Sequence, residues 1–352
     1  ISADGLRLHC RINGPVANAL YSTTDKRLSN WTGGASFTPP SVQGGCGRNF
    51  AQVPAAAATG AAAAVLAPMI HLVQQNSTTN PNDAANAGAW YAVGSYNLSS
   101  NAFLPTVSGH TPMALDFGET FCNEFGSDDP GRQGGARLLW LGNFAARDNN
   151  HTLTTVVRSV TFDHELQLLL SEPVEELKHI RTKDTILSKS FKGLVGGAAK
   201  RQALLTAPQL PQRQAGAEAV ETMGYAPSEA FDLELNLTIP KSNTGSFKPV
   251  SVGVTVLEFP DAPSAFAIGG VSVVITIVSP AQALMEVGTI HPTSRSWFRA
   301  PGAVEQWLSL PMNHTFPIKS GETTLGLRVL VDHLSVEAFA GNGRSVASSL
   351  LR

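Results

Sequence analysis

Over most of the chain, apolar and polar residues alternate in short runs with a period of two, the pattern of strands that have one buried and one exposed face. Leu327, Val329 and Val331 alternate with Arg328, Leu330 and Asp332, and after Asp332-His333-Leu334 the period resumes at Val336, Ala338 and Ala340. This predicts two antiparallel strands joined by a tight connection, with Gly341-Asn342-Gly343 as the next turn. "WYAVGSYNLSSNAFLP" predicts a strand over 90–96, a polar turn over 97–101 and a return strand over 102–104. "ARLLWLGNF" predicts another buried strand with Trp140 in the core, and "FDLELNLTIP", "SVGVTVLEF" and "GVSVVITIV" predict more. The expected fold class is all-β, and its second half reads as an antiparallel β-sandwich.

The period breaks in three places. In "LSEPVEELKHIRT", Ser171 is placed to cap a short helix with Glu172 and Pro173 in its first turn, since Val174, Leu177 and Ile180 recur at a spacing of three. Residues 183–225 are polar, Gly-rich and contain Lys and Arg, with "GLVGGAAKRQ" reading as a flexible excursion. The Ala-rich stretch at 55–67 has no amphipathic face and reads as an inserted loop. The expected organisation is therefore a β domain over 1–157, a linker with a short helix and a flexible insertion over 158–225, and a sandwich over 226–352.

Composition narrows the function classes. A chain of 352 residues is long enough for two cores. A net charge of -2 with 15% charged residues provides no field for nucleic acid or an anionic membrane, so a neutral small molecule is the expected partner. The apolar runs at 61–69 and 271–278 are far shorter than the roughly 20 residues of a spanning helix. Three scattered cysteines, Cys10, Cys46 and Cys122, fit neither a disulfide framework nor paired Cys-x-x-Cys zinc ligation, and no metal or cofactor is expected. Asn-x-Ser/Thr sequons at Asn30, Asn76, Asn97, Asn150, Asn236 and Asn313 suggest a glycosylated protein of the secretory pathway, secreted, vacuolar or at the cell surface, with these residues on exposed turns.

Four stretches together resemble the later part of glycoside hydrolase family 32, the invertases, inulinases and fructan-processing enzymes. "LRVLVDHLSVEAFAGNGR" is similar to the family's closing sandwich signature, and "ELQLLLSEPVEELKHIR" resembles the segment joining its propeller to its sandwich. "WYAVGSYNLSSNAFLP", "LDFGETFCNEF" and "GRQGGARLLW" follow in the family's order, and "LYSTTDKRLSNWT" with "GGCGRNFAQVP" is the weakest match. The resemblance implies the later blades of a five-bladed β-propeller followed by a β-sandwich. It also places Asp332, His333 and Glu337 at a turn and the domain interface, away from any catalytic centre.

Retaining hydrolysis of a fructoside needs a nucleophile and an acid/base, two carboxyl groups about 5 to 5.5 Å apart. The family's Trp-Met-Asn-Asp-Pro-Asn-Gly and Arg-Asp-Pro motifs do not occur here. "NPNDAAN" has the wrong order, and Asp129-Pro130 is preceded by Asp128. By the resemblance both motifs fall before Ile1. Laying Cys46 on the family's cysteine puts Gly45 at the acid/base position, so no catalytic residue is expected within the chain. The resemblance lets "LDFGETFCNEF" line the propeller's pocket, which makes Asp116, Phe121 and Glu124 the candidate substrate-binding residues for sucrose or a fructan. Two functions are expected: a β-fructofuranosidase-related protein, inactive as these residues alone, or a non-catalytic sugar-binding or structural relative. An open propeller edge would leave the first half marginally stable and let the sandwich unfold separately.

Overall fold

The computed structural model describes residues 8–12, 19–23, 29–30, 32–36, 50–52, 69–74, 88–97, 102–105, 113–127, 137–144, 153–180, 230–239, 247, 249–256, 271–289, 312–332 and 335–350. Every strand pairing among them is antiparallel. The Ala-rich stretch at 55–67 and residues 183–225 lie outside the described residues.

Among the described residues, the first half forms three sheets in chain order. β1 (Leu8–Ile12), β2 (Ala19–Thr23) and β3 (Thr32–Ser36) make the first. β4 (Phe50–Gln52), β5 (Met69–Gln74), β6 (Ala89–Asn97), β7 (Ala102–Pro105) and β8 (Met113–Asp116) make the second, in which β6 pairs with β8 through its first residues and with β7 through its last. The third is a four-stranded meander of β9 (Thr120–Ser127), β10 (Leu138–Phe144), β11 (Arg158–Asp163) and β12 (Leu168–Pro173). Ala89, Tyr91, Val93 and Leu115 of the second sheet share a core with Leu138, Trp140, Val160, Phe162 and Leu169 of the third. The expected return strand pairs antiparallel with β6 and Trp140 is buried, while residues 98–101 of the expected turn lie outside the described residues.

Two expectations around residue 158 change. The strands at Arg158–Asp163 and Leu168–Pro173, assigned from sequence to the linker, complete the third sheet. Ser171 caps no helix: it lies within β12, paired with Val160, and a 3₁₀-helix begins only at Glu175 and runs to Ile180. Pro173 lies at the end of the edge strand, where its missing N–H costs no ladder bond.

The second half is a two-sheet sandwich. Its strands are β13 (Phe231–Thr238), β14 (Val250–Val256), β15 (Val271–Ser279), β16 (Gln282–Thr289), β17 (Met312–Pro317), β18 (Thr324–Asp332), β19 (Ser335–Ala340) and β20 (Ser345–Leu350). One sheet runs β13-β18-β19-β20 and the other β14-β15-β16-β17. Val273, Ile275 and Met285 from one face Leu325, Leu327, Val329, Val336 and Ala338 from the other. The β18–β19 hairpin and the following turn form as expected, with Gly341, Asn342 and Gly343 all at positive φ.

The two halves are not separate bodies joined by a string. β18 alternates buried with half-buried positions as an ordinary sandwich strand does, but β19 is buried at consecutive positions, so both its faces are covered. Its inner face, Val336, Ala338 and Ala340, meets the sandwich core; its outer face, Glu337 and Phe339, meets the third sheet. Ala114 and Phe117 of the first half belong to the sandwich's own core cluster.

Candidate functional site

The most constrained chemistry among the described residues lies where β8, β11, β19 and β20 converge. Arg158 opens β11 at the same parity as Val160 and Phe162, so its side chain enters the interior with theirs, and it has no exposed surface. A buried guanidinium must be paired and hydrogen-bonded to be tolerated. Its Nη1 donates to Asp116 Oδ2 at 2.8 Å, and its Nη2 donates to Glu337 Oε2 at 2.6 Å and to Ser348 Oγ at 2.5 Å. The ring of Trp140, its cross-strand neighbour on β10, lies 4.4 Å from the guanidinium carbon, and that of Phe339 lies 4.9 Å away.

Both carboxylates are hydrogen-bonded through both oxygens. Asp116 Oδ1 accepts from the backbone N–H groups of Gly118 (2.8 Å) and Ser348 (3.1 Å), and its Oδ2 also accepts from Ser348 Oγ at 2.7 Å. Glu337 Oε1 accepts from the N–H of Val156 at 2.7 Å. Burial pushes the Glu337 carboxyl above the usual glutamate range, opposed by the charge and hydrogen bond of Arg158. The backbone reinforces the joint: Phe117 N–H donates to Val346 O, Glu119 N–H to Ser348 O, and Ser171 N–H to Gly343 O. Gly118 permits this approach, since a Cβ there would lie 2.1 Å from Ser348 O.

Two contacts flank this network. Lys319, in the turn after β17, pairs with Asp163 at 2.6 Å across the same interface. His314 of β17 stacks on Phe117 with centroids 5.5 Å apart and shares a hydrogen bond with Ser345, and burial lowers its imidazole to about 4.

This arrangement can hold two sheets together, but it cannot meet a sugar. Asp116, expected to bind substrate, has no exposed surface and spends all its acceptor capacity on Arg158, Ser348 and Gly118. The reason is the β8–β9 turn, which points this carboxylate at the sandwich. Glu124 and Phe121 lie on β9 opposite Leu141 and Asn143, and their side chains fall outside the described residues, as do Gly45 and His333. Asp332 is exposed at the end of β18, and Glu337 lies at the interface. Sequence reasoning missed Arg158 and Ser348, although an arginine in register with Val160 and Phe162 in "VVRSVTFD" is itself a signal of a buried charge.

Residues 290–352 match the family model described as Glycosyl hydrolases family 32 C terminal. This closing segment is thus similar to the C-terminal domain of glycosyl hydrolase family 32. A search of the curated proteins finds no match. Among solved structures, the exo-inulinase of Aspergillus awamori superposes with a TM-score of 0.59 at 16% identity, over 95% of this chain and 56% of that one. A β-fructofuranosidase of Schwanniomyces occidentalis, complexed with fructosyl-erythritol, gives 0.54 at 14% identity over 95% and 58%. The sucrose-6-phosphate hydrolase of Lactobacillus gasseri gives 0.53 at 15% identity over 95% and 55%. The chain thus spans little more than half the length of these solved structures. Its all-β fold is part of a β-propeller followed by a β-sandwich, and the buried network joins the two.

Proposed function

We infer that this chain is the later propeller and closing sandwich of a β-fructofuranosidase-type protein whose ligand is a small fructoside, sucrose or a fructan, and that these 352 residues do not themselves hydrolyse it. The family model at 290–352 and the likeness to the inulinase and fructofuranosidase folds support the class. The observation that carries the second part is the sequestration of Asp116: the one sequence-predicted sugar contact whose side chain is described is a structural ion-pair partner. Neither early carboxylate motif occurs in the sequence, and Gly45 stands at the acid/base position that the resemblance assigns.

Loss of general acid catalysis costs about 100- to 10,000-fold in rate, and loss of the nucleophile removes the covalent route as well. The test is fructose release from sucrose by three purified proteins: this chain, a version extended upstream with an Asn-Asp-Pro-Asn motif, and that version carrying Gly45→Glu. The expected order is no release above the blank, slow release, and faster release. Ordinary enzyme turnover by the 352-residue chain would overturn the reading. Gly45 also favours a second reading, a non-catalytic sugar-binding relative; calorimetric binding of 1-kestose to the extended version without turnover in either extended form would select it.

The same reading places the protein in the secretory pathway. Asn30, Asn236 and Asn313, the sequon residues whose exposure is described, all face solvent, although Asn236 and Asn313 lie on strands and not on the turns expected. Expression in a glycosylating host should give a mass that falls on endoglycosidase treatment and fails to fall fully when Asn236→Gln and Asn313→Gln are combined. An unglycosylated secreted product would contradict this.

A further inference from the structure

We propose that the Asp116–Arg158–Glu337 cluster binds one proton, and that the joint between blade and sandwich is strongest in a mildly acidic medium. Asp116 and Arg158 have no exposed surface and Glu337 has 3%, so one guanidinium faces two carboxylates with no solvent to share the excess. Two carboxylates and one cation leave a net negative charge buried, and burial disfavours that state.

Glu337 is the group that takes the proton. Asp116 accepts four hydrogen bonds, two of them from backbone N–H groups, and so has no acceptor site to spare. Glu337 accepts only two. Besides Arg158 and Asp116, its neighbours are Leu330 on β18 and Ser348 on β20 across the strand pairs, and the rings of Trp140 and Phe339 lie against the Arg158 guanidinium. Lys319, Asp163 and Glu165 form their own cluster, and Arg328 pairs with Asp232.

The direction follows from linkage. A carboxyl whose folded affinity for protons exceeds its unfolded affinity stabilises the fold fully below the ordinary glutamate range. That contribution is lost as pH rises through the folded value, by up to tenfold in the folded-to-unfolded ratio per pH unit. His314 works in the opposite sense, so the effect must be read as a difference that cancels it.

The experiment compares denaturation of the 352-residue chain and its Glu337→Gln variant from about pH 4.5 to about pH 7.5, the range above the glutamate reference value. Glutamine keeps a carbonyl oxygen for the Arg158 or Val156 donor and carries no charge. The wild-type folded-to-unfolded ratio should fall relative to the variant as pH rises, and parallel profiles would overturn the proposal. Infrared difference spectra supply a readout that does not need the variant to fold. A protonated-carboxyl band should persist in the wild type above the ordinary glutamate range and survive Glu172→Gln on neighbouring β12. Its absence would equally overturn the proposal.

Discussion

An arginine without solvent stays charged, so its surroundings must be built around it. Arg158 has acceptors on three other strands, and its Nε alone among the guanidinium nitrogens has no partner. Arg158→Met keeps much of the side chain's bulk but leaves Asp116 and Glu337 buried and unpaired. It should cost about 3–5 kcal/mol, read by urea denaturation. A loss below about 1 kcal/mol, the scale of an exposed pair, would show that the network is dispensable. His314 supports a second prediction at this scale. With its imidazole held at about 4 and an unfolded value near 6.5, the folded chain is favoured fully above the unfolded value and loses that advantage as pH falls toward 4. An NMR titration should place its midpoint well below 6, and a midpoint near 6.5 would contradict the buried placement. The sequence made the strand parity of Arg158 readable but not its partners, because Asp116 and Glu337 lie 42 and 179 residues away along the chain.

At the scale of elements, β19 shows what a period of two can and cannot reveal. Alternation in "SVEAFA" marks Val336, Ala338 and Ala340 as the inner face, and the structure agrees. The same alternation assigns Glu337 and Phe339 to the outer face, which solvent covers in an ordinary sandwich. Here the third sheet covers it, and a pattern within one strand holds no trace of a second cover. A phenylalanine at an outward position was the available hint. Phe339→Ala should cost about 3–5 kcal/mol, as at any closed core site, and a cost near zero would mean that the outer face is open. Gly118→Ala should likewise loosen the joint, since the added methyl meets the backbone of Ser348 and no flexible side chain can yield. Its denaturation midpoint should fall below that of the conservative surface change Glu175→Gln. The Ser171 cap failed for a related reason: a Ser-Glu-Pro sequence suits a helix start, but pairing with Val160 keeps Ser171 in the strand until the sheet ends.

The whole molecule is held together where the sequence suggested a seam. A partial propeller and a sandwich read from composition and turns suggest two units that unfold one after the other. The shared core through Ala114 and Phe117, the backbone bonds to β20 and the ionic network replace that expectation with coupled unfolding of the third sheet and the sandwich. The fold class and the sandwich strands were legible because they follow from local alternation. The joint was not, because it is made by residues brought together only when both halves are folded. Hydrogen exchange of the 352-residue chain and its Arg158→Met variant tests this most directly. Amides of β11 and β12 in the third sheet and of β19 and β20 in the sandwich should lose protection together in the variant. Loss confined to β11 and its neighbours, with β19 and β20 protected as before, would show that the halves stand independently and that the buried network does not join them.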